Sequence, residues 1–159
     1  MKVVIQRVLD ATVRVAGTPR ARIGRGLLVY LGVAREDSPR DAEKLAEKIT
    51  HLRIFADQEG KMNRSIRDLP PTSSDPPAIL VVSQFTLLAD TRKGRRPYYG
   101  DAAPPDQARA LYEHFIGYIR NQGLPCQTGV FQAHMELRYT NDGPVTIIID
   151  SRELQDFVD

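Results

Sequence analysis

A continuous apolar run, Ala78-Ile79-Leu80-Val81-Val82, stops abruptly in Ser83-Gln84-Phe85-Thr86-Leu87-Leu88. Five apolar residues without alternation, rich in β-branching, describe a strand buried on both faces. Such a strand needs neighbours on both edges and cover above and below, so it belongs in the middle of a sheet. Its polar end is the informative part. A buried amide or hydroxyl left unpaired costs about 1–3 kcal/mol, so Ser83, Gln84 and Thr86 need partners. In a regular strand Gln84 and Thr86 share one face, and Ser83 and Phe85 the other. Such groups can satisfy neighbouring backbone, but three around one strand end, with an aromatic among them, describe the floor of a site.

Other elements are set by spacing. Residues 2–9 and 12–15 read as strands, and Gly17-Thr18-Pro19 as a turn. Leu27–Val33 is a second buried strand. Ser38-Pro39 starts a helix, with Ala42, Leu45, Ala46, Ile49 and Leu52 at helical spacing. Leu52–Phe55 reads as a short strand and Asp57–Lys61 as a polar turn. The proline-rich stretch 70–77 reads as an exposed loop. Pro104-Pro105-Asp106 opens a second helix with Ala108, Leu111, Tyr112, Phe115, Ile116 and Ile119 inward and Gly123 as terminator. Strands over about 131–140 and 145–150 finish the order. Many strands with two helices predict a mixed α/β fold: a curved, largely antiparallel, barrel-like sheet with two main helices outside. A chain of 159 residues is expected to form a single domain, 1–159, with residues 151–159 as an extension.

No apolar run approaches the length of a bilayer-crossing helix and no signal peptide precedes the first strand, so no membrane association is expected. One cysteine, Cys126, excludes an internal disulfide and fits a reducing, cytoplasmic setting. Net charge is only +2, but residues 1–35 hold seven Lys or Arg against one acid, Asp10, and Arg92-Lys93-Gly94-Arg95-Arg96 concentrates four more. Patches of this kind on a near-neutral chain suit a locally anionic partner such as the end of a nucleic acid.

Familiar hydrolytic groupings are missing. His51 and His114 fall on or beside helices and His134 in a strand, each read as a structural or surface histidine. No metal-ligand spacing and no glycine-rich phosphate loop appears, so neither metal nor cofactor is expected. The remaining special stretch is Asn141-Asp142-Gly143-Pro144-Val145-Thr146. It reads first as a hairpin connection. Gly-Pro, however, can adopt a cis bond cheaply, and a cis corner aims two successive carbonyls the same way.

Ser83-Gln84-Phe85-Thr86-Leu87 together with Asn141–Thr146 resembles the D-aminoacyl-tRNA deacylase (D-tyrosyl-tRNA deacylase) family. Supporting matches are Ile5-Gln6-Arg7-Val8, Phe55 with Lys61-Met62-Asn63, Gly94-Arg95-Arg96-Pro97, and Thr128-Gly129 with Phe131 and Met135. The resemblance runs from residue 1 to about 150. It implies a hydrolase that cleaves the ester of D-aminoacyl-tRNA, accepts glycyl-tRNA mischarged on tRNA-Ala, and rejects L-aminoacyl-tRNA. It also implies a homodimer in which Gly143 and Pro144, in cis, enter the partner's pocket and hold the substrate amino group. Arg7 would brace that corner. Ser83, Gln84, Phe85 and Thr86 would line the pocket, and Phe131 and Met135 would contact the terminal adenosine. Phe85 and Thr86 N–H groups are the candidate oxyanion donors, and Thr86 is expected to position substrate rather than attack it, because no base adjoins it. Arg92, Lys93, Arg95 and Arg96 are placed to hold acceptor-stem phosphates. The competing readings are a non-catalytic RNA-binding domain of the same fold and an editing deacylase for an L-amino acid.

Overall fold

The computed structural model describes residues 1–71 and 75–155. Among these residues, eight strands and two α-helices run in chain order: β1 (Lys2–Val15), β2 (Thr18–Ile23), β3 (Gly26–Gly32), α1 (Pro39–Thr50), β4 (Phe55–Ala56), β5 (Met62–Arg64), β6 (Ala78–Ser83), α2 (Pro105–Asn121), β7 (Cys126–Thr128) and β8 (Glu136–Asp150). The main sheet runs β2-β1-β3-β6-β7, with β8 on β1 and the short β4-β5 pair apart. Pairs involving β1 are antiparallel; β3-β6 and β6-β7 are parallel. A parallel pair needs a crossover, and α1 and α2 lie in those two crossovers.

Strand β6 is buried on both faces, as its composition predicts. Ile79 and Val81 join the core beneath the helices with Leu27, Val29, Leu31, Ile49 and Phe115. Leu80 and Val82 join a second core with Val13, Ala21, Ile23 and Leu28. The far half of β1 and β2 supply this second core by curling over the sheet, which makes it barrel-like. β1 changes allegiance along its length: Val3 and Ile5 enter the first core, Val8, Ala11 and Val13 the second. Strict alternation would put odd-numbered residues on one face throughout. An irregularity between Val8 and Asp10 shifts the register and turns Ala11 and Val13 inward.

Three expectations need correction. Residues 2–9 and 12–15 are one strand, because β8 pairs along nearly its whole length. Thr18 and Pro19 belong to β2, the turn being Ala16-Gly17, with φ of 48° and 76°. Helix α1 ends at Thr50, so Leu52 lies beyond it, and extended pairing near there is confined to Phe55 and Ala56. Of the proline-rich loop, Thr72–Ser74 fall outside the described residues, as do residues 156–159 of the extension. The extension begins as part of the body: Ser151 is buried, its N–H donates to Met1 O, and its Oγ accepts from the Met1 ammonium at 2.5 Å.

Candidate active site

The polar end of β6 does not continue as a strand. Gln84 N–H donates to Leu31 O at 2.8 Å, and the chain then tightens into a single turn over Phe85–Leu88. The alternating placement of Ser83 to Thr86 therefore fails. Leu88 is drawn inward against Gly32, where a side chain would put its Cβ 2.5 Å from the Leu88 Cδ2. That close approach pins the turn to the end of β3. The first bond inside the turn is Leu87 N–H to Gln84 O at 3.3 Å. The N–H groups of Phe85 and Thr86 precede it and take no part in the turn's own bonding.

Ser83, Gln84 and Phe85 line a half-open cavity of about 860 Å³, with Phe131, His134 and Met135 on another wall. Its size suits a nucleoside-sized ligand. Phe85 is 56% exposed and meets Tyr99 edge-on at 5.1 Å. An exposed aromatic held by a second ring offers a flat apolar surface at the cavity mouth. Thr86 is not on the cavity wall. It is exposed, and its Oγ1 accepts from Gln84 Nε2 at 2.5 Å, so its partner is an amide that cannot serve as a base. Met135 is fixed from behind: Val130 N–H reaches its Sδ at 3.3 Å, and a Cβ on Gly129 would lie 2.8 Å from that sulfur. Phe131 packs on Tyr112 at 5.7 Å, with the Arg109 guanidinium 4.5 Å above its ring.

Most of the cavity wall is not marked in the sequence, His134, Arg35 and Tyr99 among it. His134 is not in a strand; it precedes β8 and lines the cavity. Arg35 and Tyr99 also line it, from loops without a distinctive pattern. The two remaining histidines are surface groups, His51 beside Glu47 at 3.2 Å and His114 beside Glu43 at 2.8 Å. Among the described residues no group of His, Cys, Asp or Glu is arranged to hold a metal ion.

The proline corner lies elsewhere. Asn141–Thr146 is not a hairpin connection but a bulge within the single strand β8, because both of its flanks pair with β1, Gln6 with Thr146 and Val8 with Asn141. The Gly143-Pro144 bond is cis, and both residues are exposed. Gly143 has φ 124°, a region open to glycine alone, and a Cβ there would meet Arg7 Nη2 at 3.0 Å and Val145 Cγ2 at 2.8 Å. Arg7 sits under the corner. Its Nη1 donates to Ile54 O at 2.5 Å, and its Nε lies 3.0 Å from Asp142 Oδ2, a distance for an ion pair although the N–H direction misses hydrogen-bond geometry. Asn141 Nδ2 closes the bulge on Arg7 O and Val145 O, both at 3.0 Å. In this chain neither Arg7, Gly143 nor Pro144 lines the 860 Å³ cavity.

In the basic loop, Arg92 is committed to Asp90 through Nε at 2.9 Å and Nη2 at 2.6 Å, and these bonds hold the Asp90 carboxyl down at about 2. Lys93, Arg95 and Arg96 are exposed.

A mixed barrel-like sheet with two helices on one face and a nucleoside-sized cavity at the strand ends defines a small α/β enzyme domain. Residues 4–150 match the family model described as D-Tyr-tRNA(Tyr) deacylase, and the chain belongs to that family of hydrolases. Relatives named D-aminoacyl-tRNA deacylase include one from Anaeromyxobacter dehalogenans, 54% identical over 97% of this chain and 99% of that protein. One from Thermotoga petrophila is 49% identical over the same shares. Among solved structures, one titled c-Myc DNA Unwinding Element Binding Protein is 39% identical over 94% of this chain and 98% of its own, with a TM-score of 0.85. Another, titled as a probable eukaryotic D-amino acid tRNA deacylase, has the same fold at 20% identity, with a TM-score of 0.76 over 93% and 97% of the two chains.

Proposed function

We propose that this chain is a D-aminoacyl-tRNA deacylase: it hydrolyses the ester between a D-amino acid and the terminal ribose of tRNA, and leaves L-aminoacyl-tRNA intact. The carrying observation is the Gly143-Pro144 corner, braced by Arg7 and exposed, in a chain matching the family over residues 4–150.

The terminal adenosine lies in the 860 Å³ cavity against Phe131 and Met135, with the aminoacyl group toward Ser83, Gln84 and Phe85. The ester is already activated compared with an amide, so positioning and main-chain donors supply much of the acceleration. The Phe85 and Thr86 N–H groups face the developing oxyanion. Water attacks the carbonyl, and the neighbouring ribose 2′-OH assists. Thr86 holds Gln84 in place and forms no acyl intermediate. The products are the free D-amino acid and tRNA.

The filter for handedness comes from a second copy of the chain. Among the described residues strand β8 pairs with β1 alone, so its outer edge is open, and Ile148 on it is 73% exposed. An open, apolar edge invites pairing with another chain. Beside it, Gln6 Oε1 has no hydrogen-bond partner among the described residues, and rotation of its side chain would turn this acceptor toward a second copy. In the resulting homodimer the carbonyls of Gly143 and Pro144 enter the partner's cavity, accept from the substrate ammonium, and occupy the space an L side chain needs. Glycine has no side chain to exclude, so glycyl-tRNA-Ala is also cleaved. Lys93, Arg95 and Arg96 hold acceptor-stem phosphates, with Arg92 the weaker contact. The site of action is the cytoplasm, where charged tRNA circulates.

The deciding experiment compares release of D- and L-alanine from charged tRNA. Rapid D release with intact L ester supports the reading. Binding of tRNA without release would leave the non-catalytic RNA-binding alternative, and equal release of both would overturn the filter. The intact Ser83-Gln84 pair and Gly143-Pro144 corner speak against the L-editing alternative.

A further inference from the structure

Phe131 lines two cavities. Besides the 860 Å³ cavity it borders a groove of about 400 Å³ along α2, between Arg109, Glu113, Gly117 and Arg120 on the helix and the Thr128–Val130 stretch. Among the described residues nothing requires Gly117 to be glycine. It lies inside the 17-residue helix, where glycine costs about 1 kcal/mol relative to alanine. Its φ is not positive, and a Cβ there would meet nothing within 4 Å. Neither the backbone nor packing demands the residue. The groove floor there has room for a methyl group and would be filled by a larger side chain.

The groove's chemistry is specific. At the end shared with the main cavity, the Arg109 guanidinium lies over the Phe131 ring. At the other end Arg120 is fixed by Nε and Nη2 to Cys126 O, at 3.1 and 2.8 Å. The two arginines are three helical turns apart, about 16 Å along the axis. Glu113 stands exposed between them. Cations at both ends suit phosphates, a guanidinium over an aromatic suits a stacked base, and a carboxylate between them suits an exocyclic amine.

We infer that this groove is an extension subsite for the penultimate nucleotide of the tRNA 3′ end. The inference rests on the tRNA reading above, which puts the terminal adenosine against Phe131. In the universal CCA terminus the next residue inward is cytidine. Its base lies on the Gly117 floor, its N4 amine donates to Glu113, and Arg109 meets the phosphate joining it to the adenosine. The subsite reads the common end of every tRNA, so it raises affinity without choosing among tRNAs.

The test uses stable amide analogues, D-alanyl-3′-amino-adenosine with and without a 5′-linked cytidylyl group, and reads Kd by calorimetry. The cytidylyl group is expected to tighten wild-type binding about 10-fold, the order of one hydrogen bond to a charged group. Gly117→Leu fills the groove; it should abolish that gain while leaving the adenosine-only Kd unchanged. Gly117→Ala, favourable for the helix, controls for folding and should retain most of the gain. Glu113→Ala should erase a preference for cytidylyl over uridylyl. No gain in wild type, or a gain that survives Gly117→Leu, overturns the inference. Turnover of the matching esters is read separately: a gain in binding without hydrolysis would sink the deacylase reading and leave the subsite standing.

Discussion

The cavity floor at Ser83–Leu88 and the corner at Asn141–Pro144 are both interruptions of β-structure, and they differ in every other respect. The floor ends a central strand buried on both faces, is tied to β3 through Leu31 O, and is concave. The corner bulges from an edge strand, is exposed, and presents main chain rather than side chains. A core strand end supplies a fixed platform for positioning an ester. An edge bulge supplies a probe with nothing of its own to probe. The two features lie apart in this chain, and in the proposed homodimer the corner of one copy meets the floor of the other.

The largest effect is expected at the corner. Gly143→Ala forces a left-handed backbone region on alanine and drives its Cβ against Arg7 and Val145. A displacement of about 1 Å at a positioning group can lower rate about 10²-fold. D-aminoacyl-tRNA hydrolysis should fall by about that factor, measured as kcat/KM. Mixing Gly143→Ala subunits with Phe85→Ala subunits sharpens the comparison. Each mixed dimer has one site built from an intact floor and an intact corner, so activity should reappear on mixing. Failure to recover it, with subunit exchange verified by mass, would place floor and corner in the same chain's site.

Next is the brace. Arg7→Met removes the donor to Ile54 O and the charge beside Asp142. Charge-assisted bonds contribute about 1.5–3 kcal/mol, so a loss of about 10-fold or more in D-specific activity is expected, with leakage toward L substrates. A variant that lost activity on both enantiomers equally would show that Arg7 supports folding rather than the filter. Smaller again is the effect of Arg95→Gln with Arg96→Gln. For each phosphate no longer neutralised, the slope of log affinity against log salt should shrink by about 1. Arg92→Gln should do less, because Asp90 already occupies its guanidinium. An unchanged slope in the double variant would remove the loop from the tRNA footprint.

Much of the buried framework is legible in the sequence because burial leaves a periodic record. The apolar runs of β3 and β6 and the inward stripes of α1 and α2 fall where spacing places them. Edges leave a weaker record. Strand β2 carries Pro19, Arg20 and Arg22 and lies half over a core, so its pattern resembles a loop. Asn-Asp-Gly-Pro has hairpin chemistry, yet β8 continues past it because β1 is long enough to pair on both sides. The floor residues are legible as polar groups at a buried strand end. Their arrangement is not, since the turn at Phe85 depends on the close approach of Leu88 to Gly32, a contact between distant segments.

His134, on the cavity wall with the floor, carries the smallest expected effect. It precedes β8 on the cavity wall, the one histidine there among the described residues. A protein general base contributes about 10²–10⁴-fold, so His134→Gln measures whether the floor relies on one. If the ribose 2′-OH and main-chain donors carry the reaction, kcat should change by no more than a few-fold, and any loss should fall on KM through weaker contact with the nucleoside. A fall in kcat by about 10²-fold or more, together with loss of an ionisation in the pH profile of kcat, would make His134 the base. The floor would then be an acid–base site in its own right, and the corner would serve only to exclude the wrong hand.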